Sequence, residues 1–207
     1  MVLKVYGTPK AGVAAVLWLL EELAVPAELV WTDPDRGDHH QPDYWRLNPF
    51  GKVPSISLGD FALAEAPAIC SWLADQHADR DFIPKAGSKA RGTHDQWLFF
   101  AVAELQAPLE MVHLNQAQLP EAERIAAVIP QALDSFRRAS RILSAHLQGR
   151  SYMLGDKLQV IDLYLSTLLE WAEGFDTMLL DKNLRQYHLR LETREAYQSF
   201  LAKYRKS

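Results

Sequence analysis

Residues 48–56 read NPFGKVPSI, and nine residues after Ile56 a second stretch, EAPAI, opens at Glu65. A proline entering a strand has no N–H to give to the ladder, so Pro54 should sit where the sheet edge accepts something other than a neighbouring strand. Val53, just before it, can then pair its own N–H and C=O with an extended peptide. The two stretches predict a peptide-accepting edge followed by a helix start.

The flanking sequence supplies the rest of a small mixed sheet. Upstream, residues 3–6 (LKVY) read as a strand, residues 13–23 carry apolar side chains at helical spacing with Glu21 and Glu22 on the outer side, and residues 27–31 (AELVW) read as a second strand. A helical turn around residues 43–47 leads into a strand ending at Leu58. Gly59 and Asp60 then predict a hairpin to a strand over 61–64, and a helix from Pro67 to Gln76 closes the unit. The order is βαβαββα. The first two strands, joined by a helix, should be parallel and the last two antiparallel, which makes the sheet four-stranded and mixed.

Residues 79–88, DRDFIPKAGS, are polar with a proline and a glycine and read as a linker between residues 1–78 and 89–207. Beyond it only helical spacing appears, over 93–114, 121–147, 161–174 and 182–204, with breaks near Pro120, Gly149 and Gly155. The predicted fold class is an α/β domain followed by an all-α domain.

With 207 residues the chain can bury roughly 70% of its unfolded surface without crosslinks. Its single cysteine, Cys70, allows no intramolecular disulfide and points to a reducing compartment. Lysine and arginine total 22 against 26 acids, a net charge of −4, which argues against general nucleic-acid binding. No run has the length of a signal peptide or membrane span, so a soluble cytoplasmic protein is expected, with neither membrane nor nucleic-acid partner. His39 and His40 have no further ligands at metal-binding spacing, and no metal site is expected. The first turn, KVYGTPKAG over 4–12, empties a strand into a helix N-terminus. It can hold an anion on backbone N–H groups or be plain connection.

Four segments, in order, resemble the glutathione transferase family. NPFGKVPSI is similar to its NP-x-G-(K/Q)-VP-x-L signature, and EAPAI stands where it has E-S-x-A-I. GDKLQVID, ending at Asp162, is similar to its helix-start motif. LRQY from Leu184 and REAY from Arg194 resemble its C-terminal helix. The resemblance implies a thioredoxin-like N-terminal domain, an all-helical C-terminal domain and a homodimer. Glutathione would be co-substrate with no permanently bound cofactor, its thiolate transferred to small hydrophobic electrophiles. Two other readings stay open. One is a binding or regulatory module with weak glutathione affinity, the other a glutathione-dependent peroxidase or isomerase on the same site.

The same resemblance assigns candidate residues. Glu65 would accept the ammonium of glutathione, and Val53 with Pro54 would offer the main-chain edge. The helix start at Ala66, read as the cap before Pro67, would face the γ-glutamyl carboxylate. The family usually has a serine at this cap. Ala66 has no hydroxyl and Pro67 no N–H, so weaker hold on that carboxylate is expected. Lys52, His39 and His40 are candidates for the glycine-end carboxylate, the spacing from His39 to Pro42 resembling a plant-type class. The alternative for the histidines is a solvated loop.

In the family the chain resembles, glutathione's sulfur is held as thiolate by a hydroxyl donor and a helix N-terminus near the first strand, and a positive charge there would serve as well. No cysteine stands there, which speaks against a protein-thiol mechanism. Aligned on Pro9, the family's serine falls at or beside Ala11. Thr8, then Lys10, then Tyr6 remain, with core packing the other reading of Tyr6. An apolar electrophile side is expected between the domains, from the segment carrying Trp97, Phe100, Glu104, Pro108, Met111 and Val112, unless these serve core or dimer contacts. Asp162 reads as closing a capping box, weakened by Gln159 in the usual Ser/Thr place.

Overall fold

The computed structural model describes residues 1–205. Strand β1 (Leu3–Gly7), helix α1 (Ala11–Leu23), β2 (Ala27–Trp31), α2 (Pro42–Leu47), β3 (Ser55–Leu58), β4 (Phe61–Ala64) and α3 (Ala66–Gln76) follow in the predicted order. They form one sheet, β2-β1-β3-β4, with β1 parallel to β2 and β3 antiparallel to both β1 and β4. The residues of α1 from Val13 to Leu20 are all buried. A helix apolar on every side must be covered on every side, and α1 packs on the sheet, on α3 and on the last helix, α9 (Glu195–Tyr204).

By contacts the chain divides into Met1–Lys85 together with the residues from Leu191 onward, and Ala86–Arg190. The residues from Leu191 onward, which the sequence pattern places with the helical domain over 89–207, cluster with the first unit. The C-terminal helix joins the first unit through apolar packing, with Tyr197 edge-on to Trp18 at 4.7 Å, and through charge on α1. The guanidinium of Arg194, at the N-cap of α9, donates to both carboxylate oxygens of Glu22 at 2.6 and 2.8 Å, and the Trp18 indole donates to the same group at 3.1 Å. Lys203 and Ser199 reach Glu21 at 2.9 and 2.8 Å. Glu22 is therefore not on a solvent face as its spacing suggested, since its side chain is only 5% exposed. Arg194→Ala should cost about 2 kcal/mol in denaturant unfolding, because it leaves that carboxylate buried and half-paired.

The second unit is helical. Helix α4 (Lys89–Phe100) begins earlier than predicted, because the Ser88 hydroxyl caps it by accepting from the Arg91 N–H at 3.1 Å. It runs through a wider π turn at Ala101–Gln106 into α5 (Ala107–His113). Then come α6 (Val128–Leu147), α7 (Val160–Phe175) and α8 (Lys182–Glu192). Two expected helices differ. The stretch 121–147 becomes α-helical only at Val128, after a 3₁₀ turn at Glu121–Glu123, and 182–204 breaks into α8 and α9 where Arg194 turns extended to reach Glu22.

No helix among the described residues is long and apolar enough to cross a membrane.

Candidate functional site

Three segments of the first unit converge on the start of α1. At Gly7, which ends β1 with φ +145°, a Cβ would lie 2.5 Å from a Val13 methyl and 3.4 Å from the Val53 Cβ. At Gly12, in the first turn of α1, a Cβ would come within 3.0 Å of the Ala66 Cβ and 3.3 Å of the Pro54 Cδ. A side chain at Gly7 would overlap Val13 and one at Gly12 would crowd Ala66 and Pro54, so glycine at both positions lets the strand end, the helix start, the Val53–Pro54 bond and the beginning of α3 meet closely. The Val53–Pro54 bond is cis.

The turn feeding α1 is tightly held. The Lys10 N–H donates to the Thr8 carbonyl at 2.6 Å, and the Arg205 guanidinium donates to the Pro9 carbonyl at 2.8 Å. Thr8 is 8% exposed, whereas Lys10, extended at the N-cap of α1 and making no side-chain cap bond, is exposed. Tyr6 lies elsewhere. Gly7 faces Val13 of α1, so by strand alternation Tyr6 points to the other face of the sheet. There its hydroxyl is 3.2 Å from the Ser57 hydroxyl and its ring packs edge-on against Tyr44 of α2. Of the three thiol-activating candidates, Thr8 and Lys10 stand at the α1 start and Tyr6 packs against the sheet.

The approach to Pro54 is anchored by two residues that sequence reasoning passed over. The Tyr44 hydroxyl donates to the Lys52 carbonyl at 2.6 Å and the Asn48 amide donates to the same oxygen at 2.7 Å. Tyr44 also bonds the Ser55 hydroxyl at 2.8 Å, and since its one proton goes to Lys52, Ser55 is the donor. Burial pushes the Tyr44 pKa up, which keeps that proton in place. Asn48 further accepts from the Phe50 N–H at 3.0 Å. Val53 follows directly. Among the described residues its N–H and C=O pair with no group, which leaves the edge open. Asn48 stood in the opening motif and could have been read from it. Tyr44 gave no local signal.

Glu65 is the N-cap of α3, with φ +70° and an exposed side chain. The helix thus starts one residue before the predicted point, with Ala66 its first residue rather than its cap, because the Ile69 N–H reaches the Glu65 carbonyl at 2.9 Å. A non-glycine residue in this backbone region stores roughly 1–3 kcal/mol of strain, and such strain gathers where a side chain must be aimed.

His39 and His40 are not both in a solvated loop. His39 is buried and its ring stacks 3.8 Å from that of the exposed His40, which meets Trp45 edge-on at 6.3 Å. A Cβ at Gly51 would lie 3.2 Å from the Trp45 Nε1 and 3.7 Å from the His40 Nδ1, so the pair rests against the loop that leads to Lys52. Burial, then the neighbouring His40, lowers the His39 pKa against the opposing pull of Asp38 and Asp35. Among the described residues the buried Nδ1 of His39 has no hydrogen-bond partner. Lys52 itself is exposed.

In the second unit, Trp97 packs on His146 of α6 at 4.3 Å and on Phe100 at 5.3 Å, so its ring contributes to packing within that unit. Val112 is buried, while Glu104 and Met111 are exposed. The capping box expected at Gln159 and Asp162 is present at the start of α7. Asp162 accepts from the Gln159 N–H and the Met153 N–H at 2.8 Å each and from the Tyr187 hydroxyl at 2.6 Å. Its role is structural. Cys70 is buried and its thiol is pushed far up by burial, so it is inert. Among the described residues no group of histidines, cysteines and acids could hold a metal ion.

Comparison with known proteins agrees with this architecture. Residues 1–75 match the family model for the glutathione S-transferase N-terminal domain. Glutathione S-transferase GST-4.5 of Xanthomonas campestris pv. campestris is 31% identical over 170 residues, 82% of each chain. Glutathione S-transferase F9 of Arabidopsis thaliana is 28% identical over 212 residues, covering 99% of this chain and 98% of that one. The solved ternary complex of BphK, a bacterial glutathione transferase, is 30% identical and superposes with a TM-score of 0.85 over 98% of this chain and 100% of that one. A thioredoxin-like sheet domain with an open, cis-proline-flanked edge, followed by a helical domain, is the class of protein these features define. The chain belongs to the glutathione S-transferase family of enzymes.

Proposed function

We propose that this chain binds glutathione along the Val53 edge, holds its sulfur as thiolate at the start of α1 and transfers it to a small hydrophobic electrophile. The observation that carries this reading is the meeting of the α1 start, the open Val53–Pro54 edge and the strained Glu65 cap within one unit. Glu65 would take the ammonium, and the exposed Lys52 or the buried His39 the glycine carboxylate. The backbone at Ala66 and the N-terminal end of α3 would take the γ-glutamyl carboxylate. Thr8 would donate its hydroxyl to the sulfur and Lys10 would add positive charge. In the chemical step the thiolate forms a carbon–sulfur bond as the leaving group departs with its electron pair, and the proton released on binding goes to solvent. A homodimer working in a reducing cytoplasm completes the proposal.

The test is a titration with glutathione, read by thiolate absorbance, beside an assay of conjugation to an aromatic chloride. Binding is expected, with turnover reduced roughly 100-fold in Thr8→Ala, the scale for losing one transition-state donor. Loss in Lys10→Ala but not in Thr8→Ala would move the role to Lys10. A wild-type protein that fails to bind at millimolar glutathione would overturn the enzyme reading, in favour of the binding or regulatory module that Ala66, without a hydroxyl, also suits.

A further inference from the structure

The contact between Arg205 and Pro9 joins residues 196 positions apart in sequence, across the same turn that begins α1. Within that turn the Thr8 carbonyl is taken by the Lys10 N–H at 2.6 Å, a tight three-residue closure around Pro9. The Pro9 carbonyl lies one residue outside the ladder of α1, whose first bonds run from Val13 and Ala14 back to the Lys10 carbonyl. Its partner is the guanidinium of Arg205, half-buried, with its charged end 5.2 Å from the Phe200 ring centroid. Pro9 itself is buried, so an unmade bond at its carbonyl would carry a desolvation cost.

From these contacts we infer that Arg205 is a positioning residue for thiol activation. It pins the Pro9 carbonyl, fixes the Thr8–Lys10 closure against the α1 start, and adds a permanent positive charge beside the helix N-terminus, where a thiolate would be stabilised. This rests on the glutathione reading above. A bond to a main-chain carbonyl acts through the turn rather than on substrate, so the effect belongs to kcat and to the acidity of the bound thiol, not to glutathione affinity. The opposite end of α9 is held to Glu22 by Arg194 and its side to Glu21 by Lys203, so loss of Arg205 alone leaves the helix docked.

The experiment measures the pH dependence of thiolate formation and of kcat in wild type, Arg205→Met, Arg205→Lys and Lys203→Ala. Arg205→Met is expected to raise the apparent pKa of bound glutathione by about half a unit and to lower kcat about fivefold, with KM for glutathione little changed. Arg205→Lys should recover most of both, because an ammonium keeps a donor and the charge. Lys203→Ala, which cuts a different tie of the same helix, should leave both at wild-type values. An unchanged thiol pKa in Arg205→Met, or an equal shift in Lys203→Ala, would overturn the inference while wild-type turnover leaves the proposed activity standing. A wild type that does not bind glutathione would overturn both.

Discussion

Asp162→Ala is expected to lower the unfolding free energy by about 4 kcal/mol and the melting temperature by roughly 10 °C. The carboxylate is fully buried and accepts from three donors, the N–H groups of Met153 and Gln159 and the Tyr187 hydroxyl. Truncation strands all three at once. One of them begins α7, whose residues from Val160 to Leu169 are all buried, so the loss falls on the core of the second unit. Burial raises the Asp162 pKa from 3.8 to about 6, its hydrogen bonds pulling the other way. The sign of the pH effect follows. Between pH 6 and 4 the folded chain holds a proton there that the unfolded chain has released, so this group adds stability as pH falls through about 6. Subtracting the melting curve of Asp162→Asn, which cannot titrate, from that of wild type at pH 7 and pH 5 should expose that rise.

Gly12→Val is expected to abolish measurable glutathione binding while leaving a folded protein. A Cβ there already meets Ala66 at 3.0 Å and Pro54 at 3.3 Å, both on short rigid side chains that cannot swing away. Branching adds two methyl groups to a space with room for none, and the start of α1 must move off the Val53–Pro54 edge. Overpacking of this kind costs about 1–3 kcal/mol in stability. A displacement near 1 Å between the two halves of the site can cost on the order of 100-fold in turnover. Isothermal titration with glutathione and a thermal melt on the same sample separate the two effects. Normal affinity in Gly12→Val would mean that the ligand does not use this junction.

Much of the first unit could be read in advance because local signals agreed with the tertiary outcome. The Gly59 turn between alternating runs gave the hairpin, and Ala27–Trp31 and Phe61–Ala64 fall where their patterns put them. What escaped the sequence was set by long-range chemistry. The break between α8 and α9 answers to a carboxylate on α1, and Glu22, polar and at an outer spacing, is buried because Arg194 and Trp18 satisfy it. Of the candidate site, the motif named Val53, Pro54 and Glu65 as proposed glutathione contacts, and Asn48 stood within it. Tyr44 and Arg205 act on main-chain carbonyls, a use that no side-chain pattern advertises. The histidine pair divided, one ring inside and one out, on a 3₁₀ turn at Asp38–His40 whose burial no local pattern foretold.

The tie between Glu22 and Arg194 spans 172 positions, and it makes the first unit discontinuous along the chain. During synthesis the sheet, α1 and α3 emerge early, but the partner of the Glu22 carboxylate appears only after the whole second unit has been made. The nascent first unit therefore waits with a face of α1 uncovered and an acid that lacks its ion-pair partner. Closing it late links its completion to that of the entire polypeptide. A chain stalled before Arg194 would display that apolar α1 surface as a mark of an unfinished protein, open to chaperones and proteases.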